Sequence, residues 1–170
     1  MGRDYYLLVY RLDGDDRYLL WYEGDPDGVV VDDGGWVLSF ADPSHLRAWA
    51  DGNAVAVSDD DTPVLHDLDG VGQWSADPDP KHVDCVAVLD AWNLFTDVRS
   101  SVERRNVAHD ERRDFDLYDK VFRGNNLPAV TPEGTSYVPV WSDAEVSRLG
   151  AIMRDGLRFF RAHVRRVDPD

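Results

Sequence analysis

The fold is decided by residues 5–40, YYLLVYRLDGDDRYLLWYEGDPDGVVVDDGGWVLSF, in which apolar runs alternate with short acidic segments. The runs are rich in aromatic and β-branched residues, which favour β-strands, and they cover residues 5–12, 18–23, 29–31 and 36–40. The segments between them, DGDD, GDPDG and DDGG, are typical of tight turns. Residues 5–40 therefore predict four antiparallel strands in a meander, and residues 54–57 predict a fifth strand.

Helical patterns follow this β-segment. Asp42 and Pro43 predict the start of a short helix that ends at Gly52. Farther along, apolar residues recur at three- and four-residue steps, and Ser142 with Glu145 forms a capping-box pattern at the start of the last such segment. The predicted helices cover residues 83–104, 117–122 and 143–165.

The predicted fold class is α+β, with an N-terminal antiparallel β-meander packed against C-terminal α-helices. Residues 1–58 are predicted to be mainly β, and residues 59–170 mainly α with a long loop over 123–141. The chain has 170 residues, of which 43% are hydrophobic and six are Trp, enough to bury one core. No Pro/Ser-rich linker divides it, so a single domain over residues 1–170 is predicted.

Negative charge is concentrated in the first part of the chain. Residues 1–97 contain 20 Asp and one Glu against five Arg or Lys, whereas residues 98–170 contain 12 acidic and 13 basic residues. A strong negative field attracts cationic partners and repels nucleic acid and anionic membranes. The sequence therefore predicts a basic protein partner, with no binding to nucleic acid or membrane. The oligomeric state is left open.

The residues predicted to contact this partner lie in acidic turns and in one long loop. The loop, residues 123–141, has three prolines and two glycines and is too irregular for helix or strand. It is either a packed crossover between helices or a contact surface for a ligand or partner. The candidate partner-binding residues are Asp13, Asp15, Asp16, Asp25, Asp27, Asp32, Asp33, Asp59, Asp60, Asp61, Asn125, Asn126 and Tyr137.

Four arginines near the C-terminus form a basic segment: Arg158, Arg161, Arg165 and Arg166. A basic helical tail can bind nucleic acid. In so acidic a chain, however, we expect these arginines to interact with the helix dipole or with acidic residues of the first half.

Three His/Asp groups are candidate metal ligands: His66 with Asp67 and Asp69, His82 with Asp84, and His109 with Asp110 and Glu111. Side chains one or two residues apart do not share a helix face, so no metal site is predicted. The sequence contains no nucleophile elbow, phosphate-binding glycine loop or Cys/His zinc pattern, and therefore predicts no catalytic residue and no cofactor.

The lone Cys85 is predicted to be a buried side chain. The first residues are strand-like and charged, so no classical secretion signal and a cytoplasmic location are expected.

Two segments carry a resemblance to a known class of proteins. Residues 89–102, LDAWNLFTDVRSSV, and 118–134, YDKVFRGNNLPAVTPEG, resemble those of small bacterial proteins that include immunity proteins of polymorphic toxin systems. The resemblance covers roughly residues 64–160 and implies a cytosolic inhibitor of a toxin domain, with no assigned residues.

Together with the charge, this resemblance predicts a non-enzymatic inhibitor that neutralises a basic toxin domain, such as a nuclease, through its acidic surface. The alternatives are a hydrolase with an unrecognised His/Asp site, and an acidic soluble protein without a charge-driven partner.

Overall fold

The acidic turns of the first forty residues separate β-strands, as predicted. The computed structural model describes residues 3–59, 62–107 and 114–167. Its first two strands form a hairpin in continuous antiparallel register, from Tyr5 opposite Tyr22 to Leu12 opposite Asp15. The connecting turn is Asp13-Gly14, and both residues have positive φ angles, 58° and 78°. This turn geometry matches the twist of paired strands.

Six strands and five helices are formed by the described residues. The strands are β1 (Tyr5–Leu12), β2 (Asp15–Tyr22), β3 (Gly28–Val29), β4 (Val37–Phe40), β5 (Leu65–Asp67) and β6 (Val164–Val167). The helices are α1 (Pro43–Gly52), α2 (Leu68–Ala76), α3 (Cys85–Glu103), α4 (Phe115–Gly124) and α5 (Asp143–His163). The predicted α+β class is confirmed.

The sheet is mixed, whereas the sequence predicted only antiparallel pairing. Its strand order is β5-β1-β2-β4-β6, and β3 also pairs with β2. The two outer strands, β5 and β6, run parallel to β1 and β4. Both outer strands come from parts of the chain far from their partners, so local turn sequences gave no sign of them.

Several elements begin or end one to three residues from the predicted positions, and three assignments differ more. The predicted strand 54–57 contributes only an isolated bridge between Val57 and Tyr5. The predicted helix 143–165 ends at His163, because the next four residues pair with β4. Helix α2 was not predicted, and its glycines Gly70 and Gly72 explain the weak local signal.

Side-chain caps fix the starts of the main helices. The Asp84 carboxylate accepts hydrogen bonds from the backbone N–H groups of Val86 and Ala87 at the start of α3. At α5 the predicted capping box is present, with Ser142 and Glu145 each bonding to the other's backbone. These caps satisfy N–H groups that have no partner inside the helix.

The core lies on both faces of the sheet. One face packs against α2, α3 and α5, and Trp92 and Phe95 of α3 are core residues there, 3% and 7% exposed. The other face packs against α1 through Leu20, Phe40 and Leu46. Cys85 is also buried, as predicted.

Among the helices that the structure describes, none combines the length and the apolar character that crossing a membrane requires.

Candidate functional site

Aspartates at the tip of the hairpin are paired with arginines. We call Asp13, Asp15 and Asp16 the hairpin tip. Asp13 receives two hydrogen bonds from the Arg161 guanidinium, at 2.7 and 2.8 Å, which hold the pKa of that carboxyl below its usual range. Asp15 pairs with Arg166 (3.5 Å) and Asp16 with Arg11 (2.7 Å), and outside the tip Asp32 pairs with Arg165 (3.0 Å).

The basic C-terminal segment therefore neutralises part of the acidic half, as predicted for Arg161, Arg165 and Arg166. Arg158 instead pairs with Asp155, at 3.3 Å on its own helix. Another predicted contact residue, Asp59, pairs with Arg47 at 2.7 Å. Asp60 and Asp61 lie outside the described residues.

The opposite end of the hairpin carries acidic residues without such pairs. We call Asp4, Glu23, Asp25 and Asp27 the open end. None of these four, nor Asp33 in the next turn, forms an ion pair within residues 3–59, 62–107 and 114–167. The Asp27 carboxylate accepts a hydrogen bond from the Gly24 N–H at 2.9 Å and so shapes its own turn.

In the long loop, the three predicted contact residues are occupied by structural hydrogen bonds. The Asn125 side-chain amide donates to the carbonyls of Cys85 and Val121, both at 2.9 Å. The Asn126 side chain bonds to both backbone groups of Tyr137, at 2.6 and 2.9 Å, which ties the two arms of the loop together. The exposed Tyr137 ring remains accessible for contact.

The His/Asp groups weighed as metal ligands have structural partners where they are described. Asp67 caps α2, Asp84 caps α3, and Asp69 accepts hydrogen bonds from the backbone of the hairpin tip. His82 bonds to Asp79 at 2.6 Å. In the described part of the chain, no three His, Cys, Asp or Glu side chains could hold a metal ion. The group at residues 109–111 lies outside that part.

A cleft between the sheet and α3 brings together residues that the sequence analysis did not connect. Its volume is about 480 Å³. Aromatic side chains from three elements line it: Tyr6 of β1, Trp21 of β2 and Tyr118 of α4. The charged or titratable groups in its wall are Asp27, His66, Asp90 and Asp97.

Helix α3 supplies the polar floor of the cleft. Asp90, Asn93 and Asp97 are spaced at i, i+3 and i+7, so they lie along one side of the helix. The Trp21 indole N–H donates to Asp97 Oδ2 at 2.9 Å, and the Tyr118 hydroxyl donates to Asn93 Oδ1 at 2.8 Å. These bonds fix the orientation of two side chains at the cleft wall.

The carboxyl groups of the cleft are poorly compensated. Burial raises the pKa of Asp97 to about 7; the hydrogen bond from Trp21 opposes this shift, and the nearby Asp27 charge adds to it. Burial also raises the pKa of Asp90, while His66 lowers it and Asp84 raises it. Among the described residues, no arginine or lysine contributes to either shift. Carboxyl groups perturbed by desolvation inside a cleft mark a candidate functional site.

Of the predicted contact residues that the structure describes, only Asp27 lines this cleft. The sequence analysis names His66 only as a candidate metal ligand, and it assigns no role to Asp90 or Asp97. One feature of the sequence could have indicated the cleft: the polar residues 90, 93 and 97 lie in a row beside the apolar face of a predicted helix.

Comparison with protein-family models gives no match, and comparison with curated proteins gives none either. Among solved structures, the chain is similar to the C-terminal domain of SatS, whose crystal structure was determined in complex with bromine. The TM-score is 0.54 over 98% of this chain and 94% of that chain, at 16% sequence identity. At this identity the likeness shows a shared fold and nothing about activity.

Proposed function

We propose that this protein is a binding protein of the immunity type, which neutralises a basic toxin domain, such as a nuclease, by covering it with an acidic surface. The observation that carries the proposal is the unequal compensation of charge along the hairpin. The hairpin tip is paired with arginines, whereas the open end and the neighbouring cleft have no ion-paired arginine or lysine within the described residues.

The two ends are far enough apart to act separately. The eight-residue strand β1 separates them by about 24 Å at roughly 3.4 Å per residue. The Debye length at physiological ionic strength is about 8 Å, so the paired tip does not screen the open end. The open end therefore keeps more net negative charge than the paired tip. Nucleases expose Lys and Arg for phosphate binding, and such a surface attracts this charge.

The test compares two neutralised variants that lose the same charge. One carries Asp4→Asn, Glu23→Gln and Asp25→Asn at the open end, and the other carries Asp13→Asn, Asp15→Asn and Asp16→Asn at the tip. The proposal expects a toxin-type domain to be encoded beside this protein, and both variants are measured against that domain by stopped-flow association and by inhibition of its activity.

We expect the open-end variant to associate at least about tenfold more slowly at low salt, and the tip variant to change much less. Circular dichroism should show both variants folded, because exposed carboxylates contribute little to stability. Equal rates for the wild type and the open-end variant would refute the proposal. A larger effect of the tip variant would move the interface to the other end of the hairpin.

A hydrolase is the second candidate, and one observation favours it. Asp97, whose pKa of about 7 suits proton transfer near neutral pH, shares its cleft with Asp90 and His66. Hydrolysis of a model ester or glycoside that is lost in Asp97→Asn and retained in Asp51→Asn would favour this candidate over inhibition.

A further inference from the structure

We propose that the cleft between β1, β2 and α3 is a receptor for one cationic side chain, a guanidinium or ammonium group, presented by the basic partner. This inference rests on the proposed function and assigns the anchoring contact of the interface. The cleft adjoins the open end, since Asp27 belongs to both.

The cleft is large enough to accept a side chain. Ligand pockets commonly have volumes of about 300–1,000 Å³, and this cleft has about 480 Å³. Its carboxylates lie on two different elements, Asp27 on the β2–β3 loop and Asp90 and Asp97 on α3. In the described part of the chain they do not converge on one point as metal ligands would.

The walls offer the two kinds of contact that organic cations prefer. The rings of Tyr6 and Trp21 lie 5.7 Å apart and are tilted by 45°, so they present aromatic surface to the cleft. A cation over an aromatic face gains electrostatic energy, and a guanidinium group also stacks on such a ring. Carboxylates beside these rings supply the charge-assisted acceptors.

Asp97 has an acceptor available for such a ligand. Its Oδ2 atom accepts the Trp21 hydrogen bond, whereas its Oδ1 atom has no hydrogen-bond partner among the described residues. Burial of a carboxylate without a cation is unfavourable, and a bound cation would remove that cost. An anionic ligand would meet three carboxylates, and a neutral ligand would compensate none of them.

The experiment uses the full chain with Nα-acetyl-arginine methylamide as the probe and the uncharged Nα-acetyl-citrulline methylamide as its matched control. Binding is followed by NMR through the Trp21 indole N–H signal and the backbone signals of α3. A ligand of this size should bind weakly, with a Kd on the order of 1 mM. The citrulline probe should bind at least about tenfold more weakly.

Two cleft variants, Asp97→Asn and Asp90→Asn, should each weaken the arginine probe at least about tenfold. Asp51→Asn is the control, because Asp51 is exposed on α1 and loses the same charge. Three results would each overturn the inference. The two probes could bind equally, the arginine probe could bind Asp97→Asn as tightly as wild type, or the chemical-shift changes could be confined to another surface.

Its failure is distinguishable from failure of the proposed function. If the arginine probe does not bind the cleft, but the toxin domain associates faster with the wild type than with the open-end variant, the inference is overturned and the proposed function stands. If the probe binds the cleft and the toxin domain does not associate, the cation site is supported and the proposed function is refuted.

Discussion

The Asp97 carboxyl makes the folded state sensitive to pH in a defined direction. Burial raises the pKa of this group to about 7 in the folded protein, against 3.8 for an ordinary aspartate. Between these values the folded state binds the proton more tightly than the unfolded state does, so the free energy of unfolding falls as pH rises. The stability contributed by the protonated group is fully present below about pH 4 and is lost above about pH 7.

The size of the effect follows from the same two values. A pKa change from 3.8 to about 7 corresponds to about 4 kcal/mol in the free energy of unfolding. The Asp97 side chain is half-buried, and solvent at its exposed edge reduces this figure. We therefore expect about 2–4 kcal/mol.

Asp97→Asn removes this titration and keeps an amide oxygen to accept the Trp21 hydrogen bond. Urea unfolding of wild type and variant should show a stability difference, in favour of Asn, that grows by about 2–4 kcal/mol from about pH 4 to about pH 8. Carboxyls with a lowered pKa, such as Asp13 and Glu145, change stability in the opposite direction with pH. They are common to both proteins and cancel in the difference.

Two results would refute this reasoning. One is a stability difference between wild type and Asp97→Asn that does not change with pH, just as the difference between wild type and the Asp51→Asn control should not change. The other is a Trp21 indole N–H signal that does not titrate near pH 7 in the wild-type protein, because this group bonds directly to the carboxylate.

Two further predictions concern packing around α3. Trp92 is 3% exposed and meets the Tyr118 ring edge-on at 5.3 Å; Trp92→Ala should therefore cost about 3–5 kcal/mol in urea unfolding, and a loss below about 1 kcal/mol would show an unpacked face. A Cβ atom at Gly156 would overlap the Phe95 ring, so Gly156→Ala should destabilise by about 1–3 kcal/mol despite the higher helix propensity of alanine. In the matched control Gly72→Ala, the new Cβ would meet one leucine methyl at 3.5 Å. Thermal unfolding of this control should therefore show a change in stability within about 1 kcal/mol. Equal effects at both glycines would contradict the close approach of α3 and α5.

The elements predicted from sequence are those with strong local signals. The hairpin was predictable because Asp13-Gly14 suits a two-residue turn between strands of aromatic and branched residues. Helix α5 was predictable because its capping box and apolar period agree. In each case the local preference and the tertiary contacts favour the same structure.

The elements missed by the sequence analysis depend on distant partners. Residues 164–167, VRRV, continue the helical pattern of α5, yet they pair in parallel with β4 from Val37 to Phe40. Strand β5 has three residues, and its pairing with β1 spans more than fifty positions of the chain. Such short strands are stabilised by the sheet that they join, so their own sequences carry little information.

The cleft was missed for a related reason. Asp27, His66 and Asp97 are far apart in the sequence, and the topology of the sheet and α3 brings them into one wall. The charge analysis located the acidity in the first half of the chain but could not separate paired from unpaired carboxylates. That separation depends on arginines such as Arg161, more than a hundred positions away from Asp13.

The placement of uncompensated charge bears on why the cleft exists. The chain has 16 arginines, and the described structure uses several of them to pair aspartates that lie on exposed turns, where a salt bridge contributes little to stability. It places none against Asp97, whose carboxyl is desolvated by burial. Sites that violate local stability are expected where a protein binds a ligand, and a cation from a partner is the group that would relieve this one.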